Sequence, residues 1–222
     1  ICKSRLQDLR SRELHRRAAE LKLHRADYVD GRDDGAIADH LVAAGSNVEA
    51  VEPSLRAANH SLRIAGNGEA HSSPTLALGG MTPHAPRRFD ALLERERVLR
   101  AWGRRRPQGA DIRELISIAE RLETPALEVR AAIRLLRFYL ECGRGSRAAL
   151  LAPRIEERIE FLEHPAPYLA ALRELQSELS FSEGELELAT DYARDGLNIC
   201  ESHALDAPQR CRLIASIGKS HA

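Results

Sequence analysis

The chain has 222 residues, with 33 basic and 33 acidic side chains, so its formal charge is zero; this excludes a globally basic nucleic-acid binder and an acidic solvating tail. Hydrophobic residues make up 43% but aromatics only 4%, and the surplus of Ala, Leu, Glu and Arg over strand-forming residues argues against an all-β fold. No apolar run approaches the roughly 18 residues of a membrane span.

In chain order, 3.6-residue periodicity predicts helices near 3–24, 34–44, 48–65, 68–78, 87–102, 111–123, 126–142, 146–163, 166–181, 185–202 and 206–221. Pro53, Pro74 and Pro153 fall inside these stretches. An interior proline loses a hydrogen bond and clashes with the preceding turn, so these helices are expected to kink or to start later. The stretch 46–80 is expected to be the least regular. Two Gly and two Pro in the segment Gly79–Pro86 mark a linker, which divides the chain into a helical segment 1–79, a linker 80–86 and a repeat region 87–222. Between the helices at 87–102 and 111–123, Arg104–Arg106 read as a basic loop beside Trp102. Gly143 and Gly184 follow predicted helices, where a left-handed cap suits glycine.

The ends show no secretory leader and an unfinished helical pattern, the expectation for a piece of a longer protein truncated at its C-terminus. Cys2, Cys142, Cys200 and Cys211 form no CxxC pair. They read as buried reduced thiols, which fits a reducing cytoplasm. Of the basic residues only Lys3, Lys22 and Lys219 are lysine, an arginine bias that a GC-rich bacterial genome would produce.

The strongest signal is self-similarity at a period of about 41. Gly143 and Gly184 are 41 residues apart, as are Ala148 and Ala189, and Leu135, Gln176 and Ile217 continue the step. The positions Leu135, Tyr139, Gly143 and Ala148, then Gly184, Ala189, Tyr192, Gly196 and Leu197, resemble the tetratricopeptide family, whose repeat is a helix–turn–helix. The period is longer than that family's, and Gln176, Ser177 and Ser180 stand where it has Leu, Gly and Tyr. The resemblance implies an all-α solenoid of stacked helical hairpins over roughly 87–222, with a groove lined by the first helix of each hairpin that takes a peptide or a partner helix.

A second resemblance covers 10–79. The strings RSRELHRRAAEL (10–21), AIADHLVAAG (36–45) and EAVEPSLRAA (49–58) are similar to the helical stretch that follows the ATPase module in large bacterial STAND-type regulators, some with a kinase domain in front. Leu14, His15, Ala19, Ile37, His40, Leu41, Ala44, Gly45, Ala50, Ala57 and Ala58 carry it, and Pro53 departs from it. The resemblance implies that a nucleotide-handling domain precedes this segment.

Motifs with catalytic chemistry do not assemble. GRGSRA (143–148) has the glycine spacing of a dinucleotide loop, but a helix precedes it where that loop needs a strand. Gly218-Lys219-Ser220 lacks the P-loop's first glycine, since position 213 is Leu. Ser72 and Ser73 beside His71 have no nucleophile elbow, and Glu183–Glu187 lacks the oxygen pattern of a calcium loop. The nine histidines form no HExxH. His15 and His40 read as helix-contact residues, and an enzyme reading would require their imidazoles to converge. No cofactor, metal or catalytic residue is expected.

Charge is uneven although it sums to zero. Residues 87–113 hold nine Arg and four acids, whereas 154–206 hold four Arg and thirteen acids. Nucleic acid and membrane are not expected as partners. A two-sign surface suits docking to a protein or peptide, including other domains of its own full-length chain. The groove-facing candidates, read as polar residues on the solvent side of the first helices, are Arg130, Arg134, Arg137, Arg173 and Gln176. The function expected is a non-catalytic interaction or sensor arm of a bacterial signalling or transcription-regulatory protein, with a structural spacer as the alternative.

Overall fold

The computed structural model describes residues 2–63, 78, 86–205 and 207–220. Among them every regular element is a helix, in the order α1 (Cys2–Leu23), α2 (Asp34–Ala43), α3 (Asn47–Arg63), α4 (Pro86–Ala101), α5 (Arg105–Leu122), α6 (Pro125–Glu141), α7 (Gly145–Ile159), α8 (Ala166–Glu183), α9 (Leu186–Ser202) and α10 (Ala207–Ser220). The all-α class expected from the periodicity is what the chain adopts. Pro74, most of the expected linker and all of the predicted helix at 68–78 but its last residue lie outside the described residues.

Two compact units divide the chain, Ile1–Ile118 and Ala119–Ala222. The division falls inside α5 rather than at 80–86, because α3 packs against α4 and draws it into the first unit. In that unit α1 packs on α2 and α2 on α3, burying Ala19, Ile37, Ala38 and Ala50. α5 is joined to α4 by Arg95 with Asp111 (2.5 Å), Arg88 with Glu114 (2.6 Å) and the Gln108 amide donating to Glu96 (2.8 Å).

In the second unit α6 with α7 and α8 with α9 are neighbouring antiparallel hairpins, and α10 packs on both α8 and α9. First helices also meet one another, α6 with α8 and α8 with α10. This is the stacked arrangement of a helical-hairpin solenoid, in which each hairpin buries its apolar face on the next. Val129, Leu136, Ala148, Ile155, Ile159, Leu172 and Leu175 form one core, and Ala170, Ala193, Cys200 and Leu213 form a second.

The repeat is written into the caps. Gly143 and Gly184 have φ +65° and +83°, the left-handed region that glycine enters without a Cβ clash. At each, the glycine N–H donates three residues back and the next N–H five residues back: Gly143 to Leu140 with Arg144 to Tyr139, and Gly184 to Phe181 with Glu185 to Ser180. This double closure ends the helix and aims the chain into its partner. The turn after α9 repeats the pattern with Ala204 at φ +50° in the glycine's place. A Cβ on Gly184 would meet nothing within 4 Å, so its substitution tests the backbone alone. Gly184→Ala is expected to lose about 1–2 kcal/mol of stability in urea titration. Ala204→Gly should move the other way by less, since glycine also loosens the unfolded chain. Equal stability of Gly184→Ala and the parent would remove the cap from the account.

Three local expectations change. α5 starts at Arg105, six residues before the predicted 111, because Pro107 sits in the first turn, where its missing N–H is no loss. Arg105 and Arg106 therefore open a helix and do not form a loop. Of the two outcomes expected at Pro53 and Pro153, a later start is excluded, since α3 and α7 begin before their prolines; next to Pro53, the buried Ser54 hydroxyl donates to the Ala50 carbonyl at 2.7 Å. Of the cysteines read as buried, Cys200 is buried, Cys142 half-buried and Cys211 exposed.

Candidate functional site

The five groove candidates sit on α6 and α8, the two adjacent first helices. The structure corrects their expected exposure. Arg137 and Arg173 have side chains only 13% and 15% accessible, and Gln176 is buried. Arg130 and Arg134 are half-buried. The reason is the stack itself. α8 has α6, α7, α9 and α10 around it, so the stripe that would face solvent on a lone hairpin becomes a seam between helices.

Two rows of charge run through that seam, and both pass through α8. In the first, Glu174 of α8, 1% accessible, accepts from Arg137 of α6 at 2.9 Å and from Arg212 of α10 at 3.0 Å. Glu178 stands 3.9 Å from Arg137. Burial works against the Arg137 charge, but Glu174 and Glu178 outweigh it and hold the guanidinium above its ordinary range. Burial pushes the Glu178 carboxyl up, with Arg137 opposing.

The second row crosses from second helix to first to second. Arg173 of α8 pairs with Glu156 of α7 at 2.7 Å and with Asp195 of α9 at 2.5 Å. It also donates to the Gln176 amide oxygen at 2.7 Å, and its guanidinium lies 5.7 Å from the Tyr192 ring centre. The Arg173 hydrogen bond holds the Glu156 carboxyl below its usual range. Close approach makes these pairs possible. A Cβ on Gly196 would lie 2.8 Å from a Leu213 methyl and 3.0 Å from the Arg173 Cβ, so a larger residue would have to displace Leu213 and press on α8.

The outer surface of the same hairpins is acidic and partly apolar. Around the α8–α9 turn a shallow open depression of about 740 Å³ is lined by Gly184, Glu185, Leu186, Glu187, Leu188 and Asp191. Leu186 and Leu188 are 46% and 41% exposed. Glu185, Glu187 and Asp191 are exposed as well. Sequence reading weighed Glu183–Glu187 as a calcium loop and set that aside. The alternation of Leu with Glu there was the available signal.

In the first unit the structure does bring His15 and His40 together. His15 of α1 and His40 of α2 meet with their Nδ1 atoms 3.0 Å apart and ring centres 5.3 Å apart. Burial, then the neighbouring His15 and Lys22, hold the His40 imidazole below its ordinary value, with Asp39 opposing. Among the described residues no group of three or more His, Cys, Asp or Glu converges as a metal cage.

The loop before α2 is fixed by Asp34, which is fully buried. It accepts from Arg56 at 2.9 and 2.8 Å, from the Gly31 N–H at 2.7 Å and from the Tyr28 hydroxyl at 3.0 Å. Burial pushes this carboxyl up, but the three donors win and hold it below its ordinary value of 3.8. The Tyr28 hydroxyl is pushed up to about 12 by burial and by Asp34.

Among the described residues no helix is long and apolar enough to cross a membrane. Neither a protein-family model nor a curated protein matches this chain.

Proposed function

We propose that this chain is a non-catalytic docking arm of a larger signalling or transcription-regulatory protein, and that its partner presents a basic, partly apolar protein surface. The observation that carries the reading is the α8–α9 depression, where exposed Leu186 and Leu188 alternate with Glu185, Glu187 and Asp191. Exposed leucines offer area to bury, and the carboxylates steer and select a positive partner. A shallow, open site suits a protein face better than a small molecule, which needs an enclosed pocket. The likeness to tetratricopeptide repeats and to STAND-type regulators supports a partner within the same full-length chain. The internal charge rows favour one other reading, a stiff spacer that sets the distance between domains.

The test uses the immobilised chain and its triple variant Glu185→Lys, Glu187→Lys, Asp191→Lys, with helix content matched by circular dichroism. The expected result is a protein held saturably by the parent, released by salt and lost from the variant. Equal retention by both chains would overturn the docking face. No saturable partner for either would leave the spacer.

A further inference from the structure

We propose that His15 and His40 form a two-nitrogen site for a divalent transition-metal ion that links α1 to α2. The two imidazoles come from different helices, 25 residues apart in sequence, and their Nδ1 atoms face each other at 3.0 Å with the rings tilted by 38°. Two imidazole lone pairs cannot face each other with nothing between them. The gap holds either one proton, as a neutral Nδ1–H···Nδ1 hydrogen bond between imidazoles of opposite tautomer, or a metal ion.

The spacing says which metal. With metal–nitrogen bonds of about 2.0–2.1 Å, nitrogens 3.0 Å apart subtend about 91–97° at the ion. That is the angle between neighbouring ligands in a square-planar or octahedral complex, the preference of Cu(II) and Ni(II). Tetrahedral zinc would need the nitrogens about 3.3–3.4 Å apart, so α1 and α2 would have to open slightly. Intrinsic affinity for nitrogen donors also peaks at Cu(II). Both histidines are only half-buried, which leaves an approach for the ion and room for water or a further ligand at the other positions. The expected order is therefore Cu(II) first, then Ni(II), with Zn(II) weakest.

The whole chain is titrated with each metal salt in turn, reading Cu(II) electron paramagnetic resonance and thermal unfolding. One equivalent of Cu(II) with two-nitrogen coupling is expected, together with a rise in unfolding temperature. His15→Ala and His40→Ala should each weaken it by roughly tenfold or more, and His164→Ala, on an exposed turn, should not. Copper held equally by all four chains, or held most weakly of the three metals, would overturn the site. Should either alanine variant unfold, imidazole 15N resonances of the parent chain decide with Zn(II). Shifts at the Nδ1 of both His15 and His40 support the site, and shifts confined to other histidines refute it.

Discussion

Glu174→Ala is expected to destabilise the second unit by about 3–5 kcal/mol, the range for removing one partner of a buried ion pair. Glu174 is 1% accessible and is shared by Arg137 and Arg212, whose side chains are 13% and 54% accessible. Without the carboxylate, Arg137 keeps its charge in the α6–α8 seam, with the more distant Glu178 and Glu141 to balance it. Arg212 is freer to turn to water. The order of loss should therefore be Glu174→Ala, then Arg137→Ala, then Arg212→Ala, because each arginine variant leaves Glu174 one partner. The double variant Arg137→Met, Glu174→Leu should recover most of the loss, since apolar residues of similar size commonly match a buried pair. Urea denaturation followed by circular dichroism reads all four. A loss below about 1 kcal/mol for Glu174→Ala would mean that the row is a surface pair worth little.

In the first unit, Asp34→Ala should cost about 2–3 kcal/mol, near the value of a lost charge-assisted hydrogen bond with a stranded donor. It strands the Gly31 N–H, while the Tyr28 hydroxyl keeps only its longer bond to Asp30 and Arg56 keeps Asp30 and Glu52. The pH dependence follows from the direction of its shift. The folded carboxyl titrates below 3.8, so between the two values the unfolded chain binds more protons and stability rises with pH. The contribution is complete above about pH 3.8 and is lost as pH falls through the folded value. Asp34→Ala should therefore lie closest to the parent at the acid end, and a gap that widens on acidification would refute the assignment.

Helices and turns were legible because their signals are local. Gly143 and Gly184 mark their own caps, and Pro125 and Pro167 sit within the first turns they help to start. The start of α5 lies ahead of the predicted one, because the first-turn role of Pro107 has no apolar periodicity to announce it. The candidate site was legible only as a list of names. Arg137 and Glu174 are 37 residues apart, and Arg212 is a further 38. No periodicity within a single helix reveals that a polar stripe will be closed over by the next hairpin. The His15–His40 contact spans 25 residues; both were read as helix-contact residues, but no spacing rule shows that they contact each other.

The charge row along α6, α8 and α10 alternates in sign: Arg137, Glu174, Arg212. Backbone geometry repeats from one hairpin to the next, but the charge at this position changes sign. Removing a single hairpin by recombination would preserve every cap and turn, yet would set Arg137 against Arg212. Loss of the α8–α9 hairpin alone is therefore expected to cost stability through like-charge contact, beyond what the backbone fit predicts.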